Sequence, residues 1–318
     1  MGERGFRYSI VTSNGTLLVT FLYMTAMRLL SLNSDISEPS IWGGYLATVV
    51  VGYFLLELNN RNALLRVRSR MVSSTFLVLV GTFPVLLDFS TGFVSAGAML
   101  LSLYILFFTY QRRHAQGYVF YSFLFLGIGV VAYPRMLWFA PLFLLTMIVQ
   151  LRSMTLKAFF AGLLGLALPI AVTWAYLFVT LQPVPTGQFA ATITTVSIPD
   201  YRLLTEHQLI NAAFTLLLAL VATIHFWRTK FNDKIRTRIL FYIFMIVEGL
   251  SAAMLIALPT DYDMAYRLFI VSSSPLIAHH LSFSRGHVAD AYFVVVVLCF
   301  AFLAFYNLTG YEFGIWPR

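Results

Sequence analysis

Charge is scarce in this sequence. Charged residues make up 11% of its 318 positions, where soluble globular chains carry about 25%. No long polar stretch offers material for a water-soluble domain, so a single membrane domain over 1–318 is expected. Cysteine is scarcer still. Cys299 is the only one and lies in an apolar run, which excludes an intramolecular disulfide and any cysteine-based zinc or iron–sulfur site. Also missing are a phosphate-binding glycine loop, a zinc-protease histidine pair and a serine-nucleophile elbow. The net charge of +8 is spread among short loops. That distribution fits membrane topology rather than a nucleic-acid surface, and no nucleic acid is expected as a partner.

What the chain has is hydrophobicity, at 59% of residues with a mean hydropathy of +0.81. It reads as an all-α, polytopic integral membrane protein, with the lipid bilayer as its first partner. A bilayer core of about 30 Å needs about 20 helical residues, and lipid demands that each segment satisfy its own backbone. By that ruler eleven segments are expected to cross, in a range of ten to twelve. They are 15–32, 41–58, 71–87, 93–110, 118–133, 136–151, 158–181, 209–227, 239–258, 268–283 and 289–306. The first run follows "MGERGFR" and is not followed by a cleavage site of the signal-peptide kind, so it is kept as a helix. The stretch from Tyr118 to Leu151 would span about 51 Å as one helix. Pro134 in "AYPRM" divides it, and Pro84, Pro141, Pro169 and Pro275 are expected to kink helices.

Basic residues set the orientation. With the N-terminus inside, sixteen of the 21 lysines and arginines fall in inner loops. Only Arg135, Arg202, Arg267 and Arg318 fall outside, and Arg28 lies within the first helix. This positive-inside bias predicts a cytoplasmic N-terminus and an outer C-terminus. Asp35, Glu38, Asp88, Asp200, Glu206, Asp261, Asp263 and Glu312 fall outside, as does the sizeable loop 182–208. In that loop "FAATITTVSI" is apolar enough for an interfacial helix.

Several residues stand out against this background. Asp35 and Glu38, in "SLNSDISEPSIWGG" (31–44), would share one face of a helical turn. Two such carboxylates can hold a divalent cation, or one can act as a general base; acids in a solvated turn are the alternative. Arg135, Arg202 and Arg267 are exceptions to the charge bias. Guanidinium suits phosphate because it binds in a fork, although each arginine singly can snorkel to lipid headgroups. Arg28 and Glu248 are charges within membrane segments, which point to function by default. His279 and His280 project about 100° apart on a helix and read as structural histidines.

Two stretches, "YSFLFLGIGVVAYPRMLWFAPLFLLTMIVQLRSMTLKAFFAGLLGLALPIAVTWAYLF" (121–178) and "SSSPLIAHHLSFSR" (272–285), resemble an uncharacterised family of multi-pass inner-membrane proteins from Bacteroidota. That family brings no activity to carry over. The first stretch also resembles, in layout, the GT-C class of membrane glycosyltransferases. That resemblance implies a sugar donor linked to polyprenyl phosphate, used at the periplasmic face of the bacterial inner membrane. It places a catalytic or metal-binding acid in the first outer loop, where Asp35 and Glu38 stand. Arg135 and Arg267 would hold the lipid phosphate, with Tyr133 and Arg202 beside it as substrate-binding residues. The first loop lacks the tight Asp-x-Asp pair of that class. Two other functions fit the same sequence. One is a proton- or ion-coupled transporter or flippase centred on Glu248 and Arg28. The other is a non-catalytic subunit of an envelope complex.

Overall fold

The computed structural model describes residues 6–32, 39–67, 69–112, 114–196, 198–283 and 287–312, and among them there is no strand. The α-helices are α1 (Phe6–Thr12), α2 (Gly15–Leu30), α3 (Pro39–Asn62), α4 (Met71–Thr82), α5 (Gly92–Leu106), α6 (Gln116–Ala132), α7 (Phe139–Val149), α8 (Leu156–Val179), α9 (Thr186–Thr194), α10 (Glu206–Thr229), α11 (Ile235–Ala257), α12 (Tyr262–Phe283) and α13 (His287–Thr309). Each of the eleven apolar segments coincides with a helix, while α1 and α9 are additional. The protein is a helical membrane protein. Five of its helical stretches are long and apolar enough to cross a bilayer: Gly92–Thr109, Leu156–Val179, Glu206–Asn232, Ile235–Ala257 and Val288–Thr309. Others are short. The 12 residues of α4 rise only about 18 Å.

Helix starts and stops follow local chemistry. Thr205 and Gln208 form a reciprocal capping box at the start of α10, which satisfies two otherwise orphan donors. The Thr155 hydroxyl accepts from the Ala158 N–H at the start of α8 (3.1 Å). Three helices end at the residue before a proline, which disfavours helical backbone there. Phe83, Tyr133 and Leu258 take φ of −117°, −144° and −129°, and a short 3-10 turn follows each. Pro134 divides the long run as expected. Pro84 does not kink a helix but ends one, and Pro141 lies in the first turn of α7, where a missing N–H costs nothing. Pro169 and Pro275 are inside helices.

The chain packs as two compact units. One comprises Met1–Phe89, Asp200–Glu248 and Phe269–Arg318; the other comprises Ser90–Pro199 and Gly249–Leu268. In the first unit α4 packs against α2, α3 and α13. In the second, α6 packs against α5 and α8. Ser102 and Ser122, both fully buried, each donate to the other's backbone carbonyl (2.7 and 2.9 Å), tying α5 to α6. Glycines bring α6 and α8 into backbone contact. A Cβ on Gly127 would lie 2.6 Å from the Leu166 carbonyl, and one on Gly165 would collide with the Phe120 carbonyl. Small residues allow such approach where lipid supplies no hydrophobic drive between helices. The other face of α8 is apolar and open, with Leu164 64% and Phe178 76% exposed, a surface suited to lipid contact.

Gly165→Ala should therefore destabilise the protein by about 1–3 kcal/mol, the usual cost of overpacking. Gly97→Ala should be neutral or better, because nothing lies within 4 Å of its added methyl. Thermal unfolding in detergent, followed by size exclusion, compares the two.

Candidate functional site

In the second unit, two of the proline breaks carry the charged residues that the charge bias singled out. The break after Tyr133 presents Tyr133 and Arg135, and the break after Leu258 presents Asp261 and, at the start of α12, Asp263 and Arg267. The Tyr133 hydroxyl donates to Asp261 Oδ2 (2.8 Å), and Arg135 Nη1 pairs with that same oxygen. Arg135 is 7% exposed. Its Nε donates to the Thr192 carbonyl (2.8 Å) and its Nη2 to the Thr195 carbonyl (3.1 Å). These carbonyls close the C-terminal end of α9, where a cation is favoured. Arg135 thus clamps the short helix that forms within the 182–208 loop. A ring contact between Trp174 of α8 and Phe189 of α9 (5.8 Å) holds that helix from the other side.

Four residues after Asp263, Arg267 donates from Nε to Asp263 Oδ1 (2.9 Å), while Ser90 donates to Oδ2 (2.6 Å). The guanidinium lies 4.0 Å from the Phe93 ring centroid, a cation–π contact. Gly92 must be small because a Cβ would sit 2.7 Å from Arg267 Cδ. The side chain of Arg267 is 5% exposed and that of Asp263 41%, so the carboxylate is the open member of the pair. The structure therefore brings Tyr133 and Arg135 together on Asp261, and pairs Arg267 with Asp263 two residues further along the chain. Arg202 is exposed in a 3-10 turn of the other unit, its backbone N–H donating to Asp200 (3.0 Å). Asp35 and Glu38 lie outside the described residues.

The two charges that the sequence puts within apolar segments belong to the first unit. Arg28 is 4% exposed and pairs with Asp88 at 2.8 Å. Glu248 is 6% exposed near the middle of α11. Thr223 donates to its Oε2 (3.0 Å), and its buried Oε1 has no hydrogen-bond partner among the described residues. His279 is fully buried with Nε2 3.0 Å from Asp233 Oδ2. Asp233, also held by Arg66 at 2.6 Å, was not recognised from sequence. Among the described residues no three His, Cys, Asp or Glu side chains are grouped to hold a metal ion.

Comparison with protein-family models, curated proteins and solved structures finds no match. The geometry therefore has to carry any functional reading.

The partners of the arginines are what sequence reasoning missed. Asp263 and Arg267 stand at i and i+4 on a helix, a readable spacing. Asp261 is 126 residues from Arg135, and no local pattern joins them. Arg135→Gln should leave Asp261 uncompensated and release α9. The expected loss is about 3 kcal/mol, as for breaking other buried pairs, together with faster protease cleavage within 182–200. Asp261→Asn should be milder, because the Thr192 and Thr195 carbonyls still hold the arginine. Limited proteolysis in detergent compares the two variants.

Proposed function

We propose that this protein is a multi-pass protein of the bacterial inner membrane. It makes eleven crossings, with the N-terminus in the cytoplasm and the C-terminus outside. Its outer face works as a GT-C-like glycosyltransferase on a sugar carried by polyprenyl phosphate. The helical apolar segments and the positive-inside charge bias support the topology. The observation that carries the enzymatic reading is an open carboxylate, Asp263, beside a buried guanidinium, Arg267, at one helix start. An acid and a cation side by side are what transfer from a lipid phosphate needs. Asp35 or Glu38 takes the acceptor's proton as the new glycosidic bond forms, and a divalent cation is a ligand that two carboxylates of this kind can take. The sugar–phosphate bond breaks, and the charge left on the lipid phosphate is met by Arg267. Tyr133 and Arg202 are the further candidate substrate-binding residues.

Asp35→Asn and Glu38→Gln measure this reading. At least one should lower sugar transfer in membranes by about a hundredfold, the lower range for a general base, at unchanged protein level. Unchanged transfer in both would sink it.

A second reading, coupled transport, is supported by one observation: the Glu248 carboxylate, buried in α11 with one oxygen unmatched among the described residues. An intramembrane acid of this kind is the usual element of a proton path. Glu248→Gln should then abolish gradient-driven uptake in vesicles while leaving sugar transfer intact. Full uptake in the variant would remove the transport reading.

A further inference from the structure

The first unit contains a groove of about 320 Å³ between α2, α3 and α4, at the lower end of the range for ligand pockets. Its walls are apolar, formed mainly by Leu17, Phe21, Val49, Leu56 and Leu77. Leu18 and Tyr53, 61% and 60% exposed, form its rim, so the groove opens sideways from the helices. One end is polar. Asn14, just before α2, and Arg70, just before α4, both line it there. The other described arginines of the 61–70 stretch already have acids: Arg61 pairs with Glu57 (2.5 Å) and Arg66 with Asp233 (2.6 Å). Arg70 has no carboxylate within ion-pair distance among the described residues, and the Asn14 side chain makes no capping hydrogen bond.

We infer that this groove is a binding site for an acidic phospholipid of the cytoplasmic leaflet. The inference rests on the proposed topology, which puts Arg70 at the cytoplasmic membrane surface. The occupant must be amphiphilic, because the cation stands at one end of an apolar channel that is open toward the bilayer. A soluble phosphate would leave that channel empty. The occupant must also be anionic, since Arg70 brings a positive charge that no carboxylate among the described residues cancels. The acyl chain lies along Leu17, Phe21 and Val49, and the phosphate oxygens accept from the Arg70 guanidinium and the Asn14 amide.

The test uses the delipidated full chain in detergent, with lipid adducts counted by native mass spectrometry. Phosphatidylglycerol should bind in preference to phosphatidylcholine by about fivefold, as expected for one basic residue at an anionic surface. Arg70→Gln should erase that preference and Arg70→Lys should keep it. Arg112→Gln, a basic residue of the other unit that stacks on Tyr118, should leave it unchanged. Equal binding of the two lipids, equal losses in Arg70→Gln and Arg112→Gln, or displacement by glycerol phosphate would each overturn the site. A cysteine at the exposed Asn60, probed with an impermeant reagent in cells with and without permeabilisation, tests the topology separately. Labelling of intact cells overturns the leaflet assignment whatever the lipids do. Labelling only after permeabilisation, with no lipid preference, overturns the lipid site alone.

Discussion

A charge enters the apolar body of a membrane protein at a cost that only a partner offsets. Much of this structure is arranged around that constraint. Four arginines are buried among the described residues, and each has an aspartate: Arg7 with Asp290, Arg28 with Asp88, Arg135 with Asp261 and Arg267 with Asp263. All but the last join segments remote in sequence. They bring α1 to α13, α2 to the turn after α4, and the Tyr133 break to the start of α12. Removing one member of such a pair strands the other, so the pairs contribute more to the choice of arrangement than to net stability. Asp233 follows the same rule between Arg66 and His279. Glu248 departs from it, meeting a threonine and, among the described residues, no cation, and for that reason it carries a functional reading.

Between the charged contacts, helices close on small residues rather than on apolar bulk. Lipid is as apolar as leucine, so leucine against leucine gives no drive to associate. The interfaces of α6 accordingly use the Ser102–Ser122 pair on one side and Gly127 with Gly165 on the other. The large apolar side chains of α8 point away and stay exposed. Proline sets where the helices stop. By ending helices at Tyr133 and Leu258, it makes the two short turns that carry Arg135 and Asp261, and these two residues pair with each other.

Much of this architecture was legible in the sequence. Long uniform apolar runs permit little except helices, and Pro134 marked the division of a run too long for a bilayer. Pro84 and Pro141 were harder, because a proline at a helix end and one inside a helix look alike until the helix bounds are known. Arg135 and Arg267 stood out because cations are scarce on that side of the chain. Their surroundings did not. Pairings such as Arg28 with Asp88, 60 residues apart, depend on which helices become neighbours, and apolar helices carry little pattern to decide that. The α9 clamp was illegible for a further reason: its acceptors are backbone carbonyls, which every residue has.

The two arginines of the cluster are not equivalent, and the difference bears on how a phosphate could be held. Nε, Nη1 and Nη2 of Arg135 each already have an acceptor, two of them backbone carbonyls of the loop it clamps. Phosphate binding there would have to release α9. Arg267 faces a carboxylate that is partly open to solvent, on a helix turn that can stay in place. Exchanging Asp263 for a lipid phosphate replaces one anion by another beside the same cation, so the local charge balance survives the exchange. An arginine masked by its own aspartate is therefore compatible with a phosphate site, because an anion that outcompetes the tethered carboxylate takes its place without changing the local charge.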